Sequence, residues 1–371
     1  MQSIDMAAVS AQVLWAAFAL SLAFGAIAQR THFCTMGAVA DIVNIGDWSR
    51  MRMWALALGV ATLGFNAMVA AGWVEAANSI YAAPRMTWLS ALAGGLMFGF
   101  GMVLASGCGS KTLVRIGGGN LKAVVVFLVL GMSAFATLKG ITAVARVATV
   151  DRVAVEFAAG QDLPTLTAQA LGLSPPQAAL LLGGLLGGGL VVWVLSRREG
   201  RTQDVLLGGL GIGAVVAAMW WVSGRLGYVP EDPNTLQEAF VATNSQRMES
   251  LSFVAPIAYT LDWLLFFSDK SKLLTLGIVS TVGVVVGSAL WAVASRGFRW
   301  EGFANVEDTA NHLVGATLMG VGGVMALGCT IGQGLSGAST LALGSFIALG
   351  AIIAGAVLAL RFQVWRIERT A

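Results

Sequence analysis

The sequence predicts an all-α polytopic membrane protein of about nine transmembrane helices. It predicts an inverted internal repeat, with broken or re-entrant helices carrying the cysteines. Three observations lead there. Hydrophobic residues make up 57% of the 371 and charged ones 11%, whereas a soluble domain carries about 25% charged residues; mean hydropathy is +0.79. Apolar runs long enough to span a bilayer recur along the chain, separated by short polar segments. A glycine-rich segment also occurs twice. Gly99-Phe100-Gly101-Met102-Val103-Leu104-Ala105-Ser106-Gly107-Cys108 and Gly320-Val321-Gly322-Gly323-Val324-Met325-Ala326-Leu327-Gly328-Cys329 match at six positions, including both leading glycines and the final Gly-Cys pair. A fainter third copy places Gly25 nine residues before Cys34, the spacing of the other two. The chain has three cysteines, and each ends one of these segments.

Composition excludes several functions. A formal charge of +3 is too small and too dispersed for nucleic acid. An odd cysteine count without C-x-x-C argues against a disulfide framework or a zinc site, and only two histidines are present. No Walker motif appears, so ATP is not the direct energy source. No cofactor is expected.

Taken in order, residues 10–28 form the first span. Asp5 precedes it and no Lys or Arg occurs before Arg30, so it lacks the positive start of a signal peptide. Arg30, Arg50 and Arg52 follow and place this loop in the cytoplasm, with the N-terminus outside. Residues 53–74 are the second span, and 75–86 a short loop. Residues 87–106 lead into Gly107-Cys108-Gly109 and an irregular polar insert, residues 110–120, before the apolar run 121–141. Such an insert survives at membrane depth only inside protein or beside a wet cavity. Residues 142–175 read as an interfacial helix and loop. Residues 176–195 and 205–223 are spans joined by Ser196-Arg197-Arg198-Glu199-Gly200-Arg201, a cytoplasmic signature. The acidic loop 224–250 fits the outside. Residues 273–294, 312–328 and 338–360 are spans, and the basic tail is cytoplasmic.

Residues 251–268 decide the count. If they cross, the basic tail lands outside; if they lie in the interface or re-enter, about nine crossings remain and the tail lands inside. The second reading also opposes the Cys108 and Cys329 segments, as in transporters whose sites lie near the midplane where helices break. The chain is then one transport domain, 1–371, with a first repeat over about 10–141, a variable middle over about 142–250 and a second repeat over about 251–360.

The chemistry follows from the broken helices. Free N–H groups at a helix start favour anions, and Gly107-Cys108-Gly109 and the Gly117-Gly118-Gly119 run are suited to expose them because glycine adopts positive φ cheaply; Gly328 is the matching candidate beside Cys329. Lys111 and Arg115 lie three and seven residues past Cys108, near one helical face. Either they attract an anion at one mouth of a path or they reach the headgroups as anchors. In the second copy Lys111 aligns with Gly332, so the basic residue is not part of the repeat. His32 and Arg30 stand beside Cys34. A thiol is a weak donor, poorly matched to a hard oxyanion and better matched to a soft sulfur end.

The stretch Leu104-Ala105-Ser106-Gly107-Cys108-Gly109-Ser110-Lys111-Thr112-Leu113-Val114-Arg115-Ile116-Gly117-Gly118-Gly119-Asn120 resembles the signature of the YeeE/YedE family of membrane proteins. Gln29-Arg30-Thr31-His32-Phe33-Cys34 and Gly328-Cys329-Thr330-Ile331-Gly332-Gln333-Gly334-Leu335-Ser336 resemble its other two cysteine motifs. The resemblance implies bacterial inner-membrane uptake of thiosulfate, with Cys34, Cys108 and Cys329 along the path. It also implies a pseudo-twofold and a small soluble sulfur-carrier partner of the TusA type. Segments 142–175 and 224–250 depart from what it explains. Two other classes compete. One is a membrane thiol protein that relays sulfane sulfur or moves another sulfur or selenium compound, with His32 as the nearest base to Cys34. The other is a structural subunit whose cysteines only pack.

Overall fold

A computed structural model describes residues 5–232 and 235–370. The first half opens with α1 (Met6–Thr31), the short α2 (Thr35–Ile45) and α3 (Ser49–Ala70). It continues with α4 (Trp88–Leu104), α5 (Gly109–Gly117) and α6 (Leu121–Lys139). The middle holds α7 (Ile141–Ala148), α8 (Leu163–Leu171) and α9 (Pro175–Leu195). Then follow α10 (Gln203–Trp221), α11 (Ala255–Leu265), α12 (Leu276–Ala294), α13 (Val306–Met325) and α14 (Leu343–Thr370). Among the described residues, strands are confined to two antiparallel pairs of two residues each, Arg85–Met86 with Val155–Glu156 and Tyr228–Val229 with Ala239–Phe240.

The polar residues at the breaks start the helices. Asp5 accepts hydrogen bonds from the Ala7 and Ala8 amides at 3.0 and 3.1 Å, and Asn120 from Ala123 at 2.9 Å. Each satisfies donors that a helix leaves unpaired at its start. Pro175 and Pro256 sit at the first turns of α9 and α11, where a missing N–H costs nothing.

Eight helices among the described residues are long and apolar enough to cross a membrane, and the chain is a multi-pass membrane protein. α13 lies outside that set: it begins at Val306, six residues before the expected span 312–328, and its first turn carries Glu307 and Asp308. The ambiguous segment 251–268 forms α11, whose 11 residues reach only about 16 Å. The insert at 110–120 is not irregular: residues 109–117 form α5, so the break is confined to Ala105–Cys108.

Small residues bring the helices together, since apolar side chains gain little by leaving lipid. Between α4 and α13 the contacts are reciprocal. A Cβ on Gly94 would lie 2.6 Å from the Gly322 carbonyl oxygen, and one on Gly322 the same 2.6 Å from Gly94. Gly101 and Gly315 repeat the exchange at 2.6 Å in both directions. α1 packs on α12 through Gly25 and Gly287, and α4 on α14 through Gly99. Leucines on the opposite face of α9, such as Leu185 at 66% exposure, are left for lipid.

The bundle has a basic and an acidic end. At the first, Arg52 pairs with Glu199 at 3.4 Å, Lys122 with Asp308 at 2.9 Å and Arg366 with Glu307 at 2.6 Å, while Arg30 lies over Trp291. These contacts gather the basic loops after α1, α5, α9 and α12 with the end of α14. At the second, the Leu276 amide donates to Ala242, Arg247 reaches the carbonyls of Ala77 and Ser79, and Lys272 pairs with Asp262.

Candidate functional site

Each cysteine follows a helix that ends in the same way. The amides of Phe33, Gly107 and Gly328 donate to the carbonyls of Ala28, Met102 and Gly323, five residues back, at 3.2, 2.8 and 2.8 Å. This is the Schellman closure, which needs a left-handed residue just past the helix. His32, Ser106 and Leu327 fill that position with φ of 52°, 55° and 57°. The positive φ expected at Gly107 and Gly109 is therefore absent and falls on the residue two before each cysteine. Of the run Gly117-Gly118-Gly119, only Gly119 is left-handed, at φ 94°.

The motif glycines instead permit close approach. A Cβ on Gly109 would lie 2.8 Å from the Phe253 carbonyl oxygen, one on Gly107 3.0 Å from Cγ of Lys111, and one on Gly328 3.1 Å from the Gln333 amide. Strain at the non-glycine positions is testable. Leu327, 54% exposed, loses little packing on truncation, and glycine relieves roughly 1–2 kcal/mol of left-handed strain. Leu327→Gly is thus expected to match or exceed the wild type in thermal stability in detergent, whereas a Leu→Gly change in a helix destabilises.

A new helix begins directly after each thiol or within a turn of it. Cys34 caps α2 and accepts a hydrogen bond from the Gly37 amide at 3.4 Å. Cys329 accepts from the Gly332 amide at 3.4 Å, where a π-helical turn, Gly332–Gly337, begins. Cys108 caps α5 and shares a hydrogen with the Ser110 hydroxyl at 3.2 Å. Cys108 and Cys329 are 1% and 0% exposed, while Cys34 is half-buried. Cys108 is an electrostatic neighbour of both other cysteines.

Lys111 and Arg115 belong to α5, on the Cys34 side. Lys111 has Cys34, Cys108, Arg115 and Arg50 as charged or ionisable neighbours. It is half-buried and, like Arg115, forms no ion pair among the described residues. Two of the three thiols are thus among its electrostatic neighbours. His32 is exposed, and the hydrogen bond that Cys34 accepts comes from Gly37 rather than from this imidazole. Gln333 is buried: its side-chain amide donates to the Ala326 carbonyl, and its Oε1 has no partner.

Residue patterns did not reveal Phe253. It lies in a non-helical segment, 251–254, whose residues 251, 253 and 254 are buried. Its carbonyl faces Gly109, and its backbone is a hydrogen-bond partner of Cys329. Only Pro256 hinted that a helix starts just beyond it. Tyr81 was also missed; a Cβ on Gly332 would lie 3.2 Å from its hydroxyl.

The profile of the family described as sulphur transport matches residues 30–358, a stretch containing all three cysteines. The chain belongs to this family. It is the YeeE/YedE family expected from the motifs, one of membrane transport proteins rather than enzymes. The chain is 28% identical over 322 residues to the thiosulfate transporter TsuA of Escherichia coli (strain K12), covering 84% of this chain and 83% of that protein. It is 26% identical over 342 residues to the thiosulfate transporter TsuA of Spirochaeta thermophila, covering 89% and 93%. A third relative, the probable transporter YedE of Escherichia coli (strain K12), is 29% identical over 112 residues, or 30% of this chain.

Proposed function

We propose that this protein takes up thiosulfate across the bacterial inner membrane along a path lined by Cys34, Cys108 and Cys329. The observation that carries the reading is the break built three times. Each copy ends one helix, presents one thiol and starts another helix, and Cys108 neighbours both other thiols. Two of the sulfurs already accept a backbone N–H. What those thiols have left to offer is the S–H hydrogen, a soft donor matched to the terminal sulfur of thiosulfate. Helix-start amides suit its oxygens. The names of the two long relatives supply the substrate.

The basic end faces the cytoplasm under the positive-inside rule. That puts the N-terminus outside and the C-terminus inside, with α13 as the ninth crossing. The reciprocal contacts of Gly94, Gly101, Gly315 and Gly322 support an inverted repeat about an axis between α4 and α13. A small soluble sulfur carrier, the partner implied by the family resemblance, would meet the basic end.

Radiolabelled thiosulfate uptake into proteoliposomes, without any redox partner, tests the reading. Accumulation supports transport; a requirement for a sulfur acceptor supports the relay alternative. Lys111→Met is expected to raise KM several-fold, more than Arg115→Met, because Lys111 neighbours two thiols and a fixed positive charge there draws the anion in. Unchanged KM in both variants at low ionic strength would assign these residues to anchoring.

A further inference from the structure

At the acidic end, a cavity of about 180 Å³ reaches the turn that carries Cys329. Gly328 and Leu327 form part of its wall, with Ser252, Tyr259 and Glu249 opposite. A larger basin of about 950 Å³ adjoins it, sharing Ile80, Leu138 and Leu327. Arg85, Lys139, Arg146 and Arg152 line that basin against one acid, Asp151, which pairs with Arg146 at 3.5 Å, and the balance has the sign that gathers anions. The inner cavity has the opposite character. Its ionisable groups are the Glu249 carboxyl and the Tyr259 phenol.

Glu249 has no cation to balance it. Among the described residues it forms no ion pair; its carboxylate accepts from the Ser245 amide at 2.8 Å, and the Ser245 hydroxyl and the Asn244 amide are its other hydrogen-bond partners. Its charged and ionisable surroundings are few. Tyr259 faces it from α11 and Tyr81 from the segment before α4. α6 and α13 present Leu138, Gly323 and Val324 to the cavity, and Ser223, just past α10, bonds the backbone of Glu249 and not its carboxylate. Arg247, two residues away, is turned to the carbonyls of Ala77 and Ser79. Asp262 is held by Lys272 at 2.6 Å. Burial pushes the Glu249 carboxyl above the ordinary carboxylate range, against the smaller opposing hydrogen bonds from the Ser245 hydroxyl, the Ser245 amide and the Asn244 amide.

An uncompensated carboxylate on the wall of an anion's chamber repels a dianion at close range, where little water screens it. Both charges cannot be present together without cost, so proton and anion favour each other's binding by the same factor. We propose that Glu249 is the proton site of this chamber, and that thiosulfate occupies the chamber together with one proton on Glu249. The proposal rests on the thiosulfate path past Cys329 and adds a co-bound proton to it. Basin and chamber then divide the work: the arginines gather the anion, and the acid admits it only when neutral. Gln keeps the acceptor for the Ser245 amide, so Glu249→Gln leaves the local fold intact.

The test has two readouts. Calorimetric thiosulfate binding to the detergent-solubilised wild-type protein, repeated in buffers of different ionisation enthalpy, is expected to show uptake of about one proton per anion at pH above the acid's pKa; no proton uptake there overturns the proposal. Uptake into proteoliposomes, with external pH varied on the Glu249 side, is expected to fall about tenfold per pH unit above that pKa, the slope of a single required proton. Glu249→Gln should retain uptake and lose both the proton uptake and the fall. A Glu249→Gln protein with the wild-type pH profile overturns the proposal and leaves the transport reading standing. If that variant does not fold, Glu249→Asp is expected to move the midpoint, and an unmoved midpoint overturns it. A wild-type protein that takes up no thiosulfate at any pH contradicts the transport reading and this proposal together.

Discussion

Cys108→Ala is expected to reduce thiosulfate uptake by at least 10- to 100-fold while the protein still folds. A hydrogen bond to a charged partner contributes about 1.5–3 kcal/mol, which sets that range. The sulfur is buried, at 1% exposure, and its removal leaves a small gap that costs at most a few kcal/mol of stability. Cys108→Ser separates donor chemistry from packing, since it nearly preserves shape and still donates. Its hydroxyl suits oxygen better than sulfur, so uptake should fall here too. Cys34 and Cys329 should behave likewise, with Cys34 the more tolerant because it is half-buried. Uptake assays paired with melting curves decide the matter. Alanine variants that melt and transport like the wild type would return all three thiols to a packing role.

Gly99→Ala and Gly287→Ala are expected to destabilise the bundle more than any surface change. A Cβ at Gly99 would lie 2.0 Å from the Ile352 carbonyl oxygen, and one at Gly287 2.0 Å from that of Leu22. Neither neighbour is a side chain that can swing away, so whole helices must part. Overpacking of this kind costs about 1–3 kcal/mol and sometimes more. Gly188 and Gly189 in α9 provide the control, since nothing lies within 4 Å of a Cβ at either. Alanine there should stabilise by about 0.5–1 kcal/mol, its ordinary helical advantage over glycine. Melting curves in detergent check both halves, and equal effects at the two pairs would refute the packing account.

Much of this was legible in the sequence because bilayers impose simple rules. Apolar runs of the right length became helices, and the Gly-Cys spacing located all three breaks. Backbone detail within the breaks was not legible. Ser106, Leu327 and His32 carry the left-handed turn although their side chains give no sign of it, and the adjacent glycines pointed one residue too far. The turn is set by the Schellman hydrogen bonds, which any residue can make at some strain. The insert after Cys108 reads as irregular because its charges spoil hydropathy, yet residues 109–117 form α5, with Cys34 and Cys108 among the electrostatic neighbours of Lys111. α13 begins in a charged stretch because Asp308 is paired with Lys122 across the basic end. Phe253 and Glu249 act from segments between helices, where pattern says little about depth.

The most direct measurement is an experimental structure with thiosulfate bound, using the sulfur anomalous signal to orient the anion. The account predicts an anion at one or more of the three cysteine turns. Its terminal sulfur should lie within about 4 Å of a thiol, and its oxygens should face helix-start amides. An anion bound away from Cys34, Cys108 and Cys329, or one turning its oxygens to the thiols, would contradict it.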